Sequence, residues 1–147
     1  MAKLNVVQKT KAYWIAGILM FLSSCAFTQV LQKDDMNCPE APKCVSSLAS
    51  DSRHYIKPFT FKDSPDVAMA RLKAALLNEK RVSIITSEPT ILRAEVRSFI
   101  FRFVDDVEFT LIAEEGVIHI RSSARIGYSD FGVNRRRIER IRALFQQ

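Results

Sequence analysis

Residues 106–125, DVEFTLIAEEGVIHIRSSAR, decide the fold, because two runs of alternating apolar and polar residues flank a short turn. Val107, Phe109 and Leu111 alternate with charged or hydroxyl side chains, and the same pattern resumes at Ile118 after the turn. Such alternation directs one set of side chains toward a core and the other toward a polar face. The stretch therefore predicts an antiparallel β-hairpin that is buried on one side.

The alternation also predicts which charges meet on the polar face of this hairpin. Four charged side chains share that face: Asp106, Glu108, Arg121 and Arg125. A two-residue turn at residues 115–116 places Asp106 opposite Arg125 and Glu108 opposite Ser123. Neighbouring pairs of this kind contribute about 0.2 to 1 kcal/mol each on an exposed sheet.

Helical and strand patterns flank the hairpin on both sides. Ser64-Pro65-Asp66 combines an N-cap residue, a proline at the first helical position and an acid in the first turn, which predicts a helix to about Lys80. Short apolar strands follow at Val82–Thr86 and from Leu92 onward, and a second helix is predicted over Asn134–Phe145. These elements predict an α+β domain in which an antiparallel sheet of four to five strands carries two helices on one face.

The apolar parity of the chain changes after Ser98. Even-numbered residues are apolar from Leu92 to Val96, whereas the next apolar residues at alternating positions are Phe99, Phe101 and Phe103. A shift of one residue exchanges the two faces of a strand, so a bulge or a new strand is expected here.

The first 25 residues have the plan of an export signal. Three lysines precede the apolar run Tyr13–Leu22, and residues 22–25 read LSSC. This tetrapeptide resembles a bacterial lipobox, in which the peptide before the cysteine is removed and the cysteine is acylated. We predict a lipoprotein signal peptide at residues 1–24 and a lipid-modified Cys25, whose acyl chains attach the protein to a membrane. The alternative is an uncleaved transmembrane anchor, because residues 12–32 carry no charge and a span needs about 20 apolar residues.

The signal also predicts a compartment and a set of partners. Residues 25–37 show no sustained period, which indicates a tether between the lipid and a single domain at residues 38–147. We expect the domain to face the periplasm as part of the cell envelope. An aspartate directly after the lipidated cysteine is a signal that retains enterobacterial lipoproteins in the inner membrane. This chain has Ala26 at that position, which favours the outer membrane. The expected partners are the membrane, through the anchor, and an envelope protein or an anionic ligand, whereas nucleic acid is not expected.

Two cysteines belong to the predicted domain. Five residues separate Cys38 from Cys44, and an oxidising compartment favours a disulfide between them. Closing so small a loop contributes about 2 to 3 kcal/mol in the chain-entropy description. The spacing is not Cys-x-x-Cys, and the alternative chemistry is a nucleophilic pairing of Cys44 with His54.

Composition excludes several function classes. The chain has 147 residues, of which 48% are hydrophobic, and its 22 basic and 16 acidic residues give a net charge of +6. This is the composition of a globular protein. Only two histidines and three cysteines are present, without a glycine-rich phosphate loop, so no metal site and no cofactor is predicted. Residues 121–147 hold seven basic and two acidic residues, which concentrates positive charge near the C-terminus.

Three consecutive arginines, Arg135 to Arg137, occupy the first turn of the last predicted helix. The helix dipole disfavours cations there by about 0.3 to 1 kcal/mol each, so a negative group is expected opposite them. That group is either a protein carboxylate or an external anion. The candidate charge network or anion site comprises Asp105, Asp106, Glu108, Arg121, Arg125, Asp130, Asn134, Arg135, Arg136 and Arg137.

These features favour a non-enzymatic binding or structural module. One alternative is a protein that binds phosphate or a lipid headgroup at the arginine-rich turn, and another is a hydrolase that uses Asp106 and Glu108. Nearby arginines favour the ionised form of both carboxyls, which leaves the hydrolase without a general acid. His119 is expected to be a solvated strand residue, and Ser46-Ser47 lacks a visible base. No catalytic residue is predicted.

Three stretches resemble one protein family. They are Cys38–Ser47 (CPEAPKCVSS), Phe103–Phe109 (FVDDVEF) and Arg121–Glu139 (RSSARIGYSDFGVNRRRIE). In this order they are similar to the bacterial and plastid domain-of-unknown-function family 1499. The resemblance implies that the acidic hairpin and the arginine-rich turn are signature positions, and it implies no activity, cofactor or catalytic residue. Ala124 departs from the pattern, in which serine is common at that position.

Overall fold

A computed structural model describes residues 36–147 of the protein. Its elements, in chain order, are β1 (Cys44–Ser46), β2 (Phe59–Thr60), α1 (Pro65–Leu77), β3 (Val82–Ser87), β4 (Ile91–Arg97), β5 (Val104–Ile112), β6 (Val117–Ala124) and α2 (Val133–Phe145). The predicted signal peptide, Cys25 and the predicted tether up to residue 35 lie outside the described residues.

The six strands form one antiparallel sheet. Its order is β1-β6-β5-β4-β3, and β2 pairs with the other half of the β6 edge that β1 occupies. The predicted α+β class is confirmed. Strands β1 and β2 were not predicted, because segments of three and two residues are too short to show an alternation.

Both helices bury apolar stripes against one face of the sheet. Helix α1 begins at Pro65, directly after Ser64, as its N-terminal signals predict, and it ends at Leu77 rather than near Lys80. Its buried residues are Ala68, Met69, Leu72, Ala75 and Leu76. Helix α2 contributes Ile138, Ile141 and Phe145 to the same core. The opposite face of the sheet carries the polar side chains.

Aromatic contacts join strand β2, strand β5 and helix α2 in the core. Phe59 of β2 lies 5.2 Å from Phe145 of α2 and 5.9 Å from Phe109 of β5, measured between ring centroids. All three rings are buried. Since such rings each bury a large apolar area, this contact ties the last helix to the middle of the sheet.

The predicted register of the β5–β6 hairpin is wrong by two residues. Ile112 pairs with Val117, so the connection is a four-residue turn over residues 113–116. Glu108 therefore lies opposite Arg121, and Asp106 lies opposite Ser123 rather than Arg125. Alternation determines which face a side chain occupies, but two registers of equal parity satisfy it, and the turn geometry chooses between them.

The expectation of a new strand after Ser98 is correct, but the alternating phenylalanines at positions 99, 101 and 103 do not belong to that strand. Strand β4 ends at Arg97 and β5 begins at Val104, and residues 98–103 form the loop between them. Phe99 and Phe101 lie on this loop with 77% and 70% of their surface exposed. Their spacing therefore reflects an exposed apolar loop rather than a buried strand face.

The N-terminal part of the described chain is packed against the sheet. Cys38 and Cys44 form a disulfide with a Cα–Cα distance of 5.6 Å, and Cys44 begins β1. Met36 is 1% exposed, so the packed region includes this residue of the segment predicted to be a tether. Within residues 36–147, no helix has the length and apolar character to cross a membrane.

Candidate functional site

The predicted charge network separates into two clusters on opposite faces of the sheet. Asp105 and Asp106 are adjacent on β5, so the pleat directs their side chains to opposite faces. Asp105 faces helix α2 and is buried, whereas Asp106 lies on the polar face. The two clusters have different partners and different exposure, and the prediction of one continuous network is corrected accordingly.

A buried cluster joins helix α2 to the inner face of the sheet. The Arg137 guanidinium donates from Nη2 to Asp105 Oδ2 at 2.6 Å and from Nη1 to Asn134 Oδ1 at 2.7 Å. Ser122 of β6 donates to the same Asn134 oxygen at 2.5 Å. Asn134 also donates from Nδ2 to the Lys43 carbonyl at 3.3 Å. These hydrogen bonds satisfy the polar groups around the buried ion pair. The cluster therefore fixes the position of helix α2 on the sheet.

Asp130 supplies the negative group expected at the start of helix α2, but it binds amides rather than arginines. Its Oδ1 accepts from the Gly132 amide at 2.9 Å, and its Oδ2 accepts from the Asn134 amide at 2.8 Å. Gly132 adopts φ +75° at the N-cap position, a conformation that glycine adopts without strain. The carboxylate thus satisfies free amides of the first turn and opposes the dipole that the arginines face.

Arg135 and Arg136 contact backbone carbonyls instead of the predicted carboxylates. Arg135 donates from Nη2 to the Arg53 carbonyl at 2.8 Å, and Arg136 donates from Nη1 to the Phe131 carbonyl at 2.9 Å. Helical geometry turns successive side chains by about 100°. The three arginines therefore diverge, and only Arg137 reaches the sheet.

A ladder of ion pairs covers the polar face of strands β4, β5 and β6. Arg93 donates to both oxygens of Glu108, at 3.0 and 3.1 Å. Arg125 bridges two strands, because it contacts Asp106 at 2.7 Å and Glu95 at 2.5 Å. Hydrogen bonds from Arg125 to these two carboxylates raise the pKa of its guanidinium above the ordinary value.

The ladder occupies the carboxylates that a hydrolase would need. Asp106 and Glu108 each accept two hydrogen bonds from a guanidinium. Arg121 lies across from Glu108, and its Nε donates to the Asn37 carbonyl at 2.9 Å. Carboxylates held in this way act as structural acceptors. The geometry gives neither of them the role of a general acid.

The sequence did not reveal a serine–histidine contact at the β1–β6 edge. Ser47 Oγ lies 3.0 Å from His119 Nδ1, which corrects the view that this serine lacks a base. The same oxygen accepts from the Ile120 amide at 2.9 Å, and Ser47 is buried. Burial lowers the pKa of His119, which favours the neutral form of its ring. The hydroxyl therefore connects β6 to the segment after β1 instead of facing a substrate.

Cys44 is not a thiol nucleophile, because its sulfur is bonded to Cys38. His54, the predicted alternative partner, is buried and contacts Asp51 Oδ2 at 2.9 Å and the Ala41 carbonyl at 3.3 Å. The hydrogen bond from His54 lowers the pKa of Asp51. This pair thus anchors the loop that follows β1. Among residues 36–147 no group of three histidine, cysteine, aspartate or glutamate side chains could hold a metal ion.

A groove of about 720 Å³ lies between the end of α1, the β4–β5 loop and helix α2. Its charged lining residues are Lys80, Arg81, Arg97, Arg137, Arg140, Glu79 and Asp105. Three of these cations have bound carboxylates, because Arg137 contacts Asp105, Arg140 contacts Glu79 at 2.7 Å, and Arg97 contacts Glu95 at 3.0 Å. Val96, Leu144 and the ring of Phe99 add apolar surface. Sequence reasoning missed this groove because its walls come from three separate parts of the chain.

The fold and these clusters define a small, disulfide-bonded α+β domain whose arginine-rich helix is tied to an acidic hairpin. Residues 36–145 match the family described as "Protein of unknown function (DUF1499)", and the chain belongs to this family. The match covers both predicted signature regions. No curated protein matches the chain.

Proposed function

We propose that this protein is a lipid-anchored, non-enzymatic module of the cell envelope that binds an anionic ligand. The anchor is supported by residues 22–25 and the lysines before the apolar run, which have the plan of a lipoprotein signal. The non-enzymatic character is supported by the engagement of Asp106 and Glu108 in the ion-pair ladder. Binding rather than chemistry is the role that the remaining surface favours.

The groove beside helix α2 carries the binding part of the proposal. Five cations and two carboxylates line it, so its charged groups sum to a positive value. Arg137 and Arg140 bind these two carboxylates and Arg97 binds Glu95, which leaves the exposed Lys80 and Arg81 to attract an anion. Apolar side chains in the same groove favour a ligand that joins an anionic group to an apolar one.

Arg81 is held in a position that suits this role. Its Nε donates to the Arg97 carbonyl at 2.9 Å, and its guanidinium lies 5.5 Å from the centroid of the Phe99 ring. These two contacts orient the guanidinium plane, and an oriented guanidinium presents paired donors to a phosphate or carboxylate.

Binding can be tested with phenyl phosphate, which joins a dianion to an apolar ring. We expect the anchored protein, reconstituted in neutral phosphatidylcholine nanodiscs, to bind phenyl phosphate more tightly than inorganic phosphate. The double variant Lys80→Gln/Arg81→Gln should weaken binding roughly tenfold, which corresponds to about 1.4 kcal/mol. Lys62→Gln, which removes a charge before the other end of α1, is the matched control. Equal affinity of all three proteins would overturn the groove as the binding site.

The anchor can be tested by fractionation. Cys25→Ser should release the protein from the membrane fraction, and Thr28→Ser, which leaves the cysteine in place, should not. Mass spectrometry of the wild-type protein should find a diacylated or triacylated N-terminal cysteine. A Cys25→Ser protein that stays membrane-bound after alkaline extraction, together with a wild type that keeps residues 1–24 and carries no acyl group, would instead indicate an uncleaved transmembrane anchor and would refute lipidation.

A further inference from the structure

Most of the exposed large apolar side chains of residues 36–147 are concentrated on two loops. The β4–β5 loop carries Phe99, Ile100, Phe101 and Phe103, and the β6–α2 loop carries Ile126, Tyr128 and Phe131. We call these seven side chains the apolar tip. Phe131 is 86% exposed and Tyr128 is 77% exposed. Single exposed apolar residues are ordinary on a protein surface, whereas such a concentration marks an interaction site.

The two loops are neighbours at one end of the sheet. The Arg125 amide donates to the Val104 carbonyl at 3.0 Å, which joins the start of the β6–α2 loop to the end of the β4–β5 loop. Within the β4–β5 loop, Ser98 exchanges hydrogen bonds with Phe103, which holds its two ends together. The apolar tip is therefore one surface built from two adjacent loops.

The charge around the apolar tip is positive. Exposed cations at this end include Arg102, which lies between two of the phenylalanines, and Lys80 and Arg81 in the α1–β3 turn. The nearby acids are engaged, since Glu79 contacts Arg140 and Asp130 accepts from backbone amides. Because antiparallel strands place alternate turns at opposite ends, Glu88, Glu114 and Glu115 lie at the far end of the sheet. The domain thus has a basic, apolar end and an acidic end.

Backbone strain is concentrated at the same end. Arg81, Arg102 and Phe131 are the non-glycine residues of the described chain with positive φ, at 60°, 56° and 52°. They lie in the α1–β3 turn, the β4–β5 loop and the β6–α2 loop, respectively. Left-handed conformations are uncommon for such side chains and cluster at functional sites. The three loops share this property as well as their location.

The chain also enters the domain beside the apolar tip. The Asp130 amide of the β6–α2 loop donates to the Pro42 carbonyl at 3.3 Å, and Tyr128 lines one cleft together with Cys38 and Pro39. Twelve residues separate Cys25 from Cys38 along the chain, and the thirteen Cα–Cα steps between the two cysteines span at most about 45 Å when extended. A lipid on Cys25 therefore keeps the tip within reach of the membrane that holds the lipid.

We propose that the apolar tip docks on the surface of an anionic glycerophospholipid bilayer. This proposal rests on the lipid anchor of the proposed function, which brings the domain to the membrane. Aromatic rings are favoured at the headgroup level of a bilayer, and shallow apolar insertion is strengthened by attraction of basic residues to anionic lipid. The guanidinium of Arg102 binds lipid phosphate while its neighbouring phenylalanines enter the interface.

Tryptophan fluorescence tests this docking directly. The only tryptophan of the chain is Trp14, which lies in the predicted signal peptide, so Phe101→Trp places a reporter on the tip. The matched control is Ile85→Trp, on an exposed position of β3 away from both loops. Each full-length protein is purified after export and reconstituted into vesicles of phosphatidylcholine alone or with phosphatidylglycerol, and the wild-type spectrum is subtracted.

We expect the emission of Phe101→Trp to shift to shorter wavelength and to be quenched by brominated acyl chains in vesicles with phosphatidylglycerol. The Ile85→Trp control should not respond, and adding Arg102→Glu to Phe101→Trp should reduce the shift. An unchanged Phe101→Trp spectrum in protein that floats with the vesicles would refute docking and leave the anchor intact. A shift that depends on protein concentration in the absence of vesicles would assign the tip to a second copy of the chain and also overturn the proposal.

The Cys25→Ser form of the Phe101→Trp protein separates docking from anchoring. Its shift on excess anionic vesicles should persist while its stable flotation is lost. Flotation that persists without Cys25, together with a wild type that carries no acyl group, would count against the lipid anchor alone, whereas loss of the shift on saturating anionic vesicles would count against docking by the tip.

Discussion

Arg137 of helix α2 and Asp105 of strand β5 form a buried ion pair across the interface between helix and sheet, with Nη2 2.6 Å from Oδ2. Both side chains are almost completely removed from solvent, at 6% and 12% exposure. Arg137→Gln should therefore leave the Asp105 carboxylate buried without its cation. We expect a loss of about 3 to 5 kcal/mol in the free energy of unfolding, measured by urea denaturation. This is a large share of the roughly 5 to 15 kcal/mol of a typical domain.

Arg136→Gln is the matched control for this prediction. The Arg136 side chain is exposed and donates to the Phe131 carbonyl, so its loss should change stability by less than about 0.5 kcal/mol. The double variant Asp105→Leu/Arg137→Met should recover most of the stability, because it removes both charges together. A similar effect of the two single substitutions would contradict the separate roles assigned to them.

Asp130 is expected to contribute to the stability of helix α2 through its two amide contacts. Asp130→Ala removes both acceptors and leaves the Gly132 and Asn134 amides to water, at a cost of about 1 to 2 kcal/mol. Asp130→Asn retains one acceptor oxygen and should cost less. Thermal unfolding followed by circular dichroism measures the difference, and equal melting temperatures for Asp130→Ala and the wild type would remove the capping role.

The faces of the sheet could be predicted from the sequence, but the partners on them could not. Alternation placed Val107 and Phe109 inside and Asp106 and Glu108 outside, as the structure has them. The same alternation is satisfied by registers that differ by two residues, so the opposition of Glu108 and Arg121 depended on a turn whose length the sequence did not reveal. Salt-bridge partners are more sensitive to register than burial is.

The arginine-rich turn shows a second limit of sequence reasoning. Helix electrostatics predict a negative group near the start of α2, and the carboxylate of Asp130, one of several candidates, is there. The sequence could not show that this carboxylate binds amides, or that Arg137 alone turns inward, since both depend on the angle at which the helix meets the sheet. The groove and the apolar tip are formed by loops from distant parts of the chain, and periodicity carries no information about such loops.

The disulfide gives a prediction that depends on redox conditions. Reduction of the Cys38–Cys44 bond frees a short loop, and the chain-entropy description assigns about 2 kcal/mol to its closure. Addition of a phosphine reductant should lower the urea midpoint of the wild type by a corresponding amount. The variant Cys38→Ser/Cys44→Ser should start at the lower midpoint and not respond. A response of that variant would mean that the reductant acts elsewhere.

His119 should make stability fall on acidification below its ordinary pKa. Burial lowers the pKa of His119 in the folded protein below the ordinary value of 6.5. At a pH between the folded and the ordinary pKa, the unfolded chain therefore binds a proton at His119 that the folded chain does not bind. Stability therefore rises with pH between the folded pKa and 6.5 and is lost as the pH falls through that window. In the protonated ring both nitrogens are donors, so Nδ1 can then only donate to Ser47 Oγ, which lies 3.0 Å away. Urea midpoints measured between about pH 7.5 and pH 5 should decline for the wild type and less for His119→Gln, whereas Lys73→Gln, a substitution on helix α1, should follow the wild type. A His119 pKa above 6.5 in an NMR titration would reverse the sign and contradict the lowered pKa of this partly buried ring.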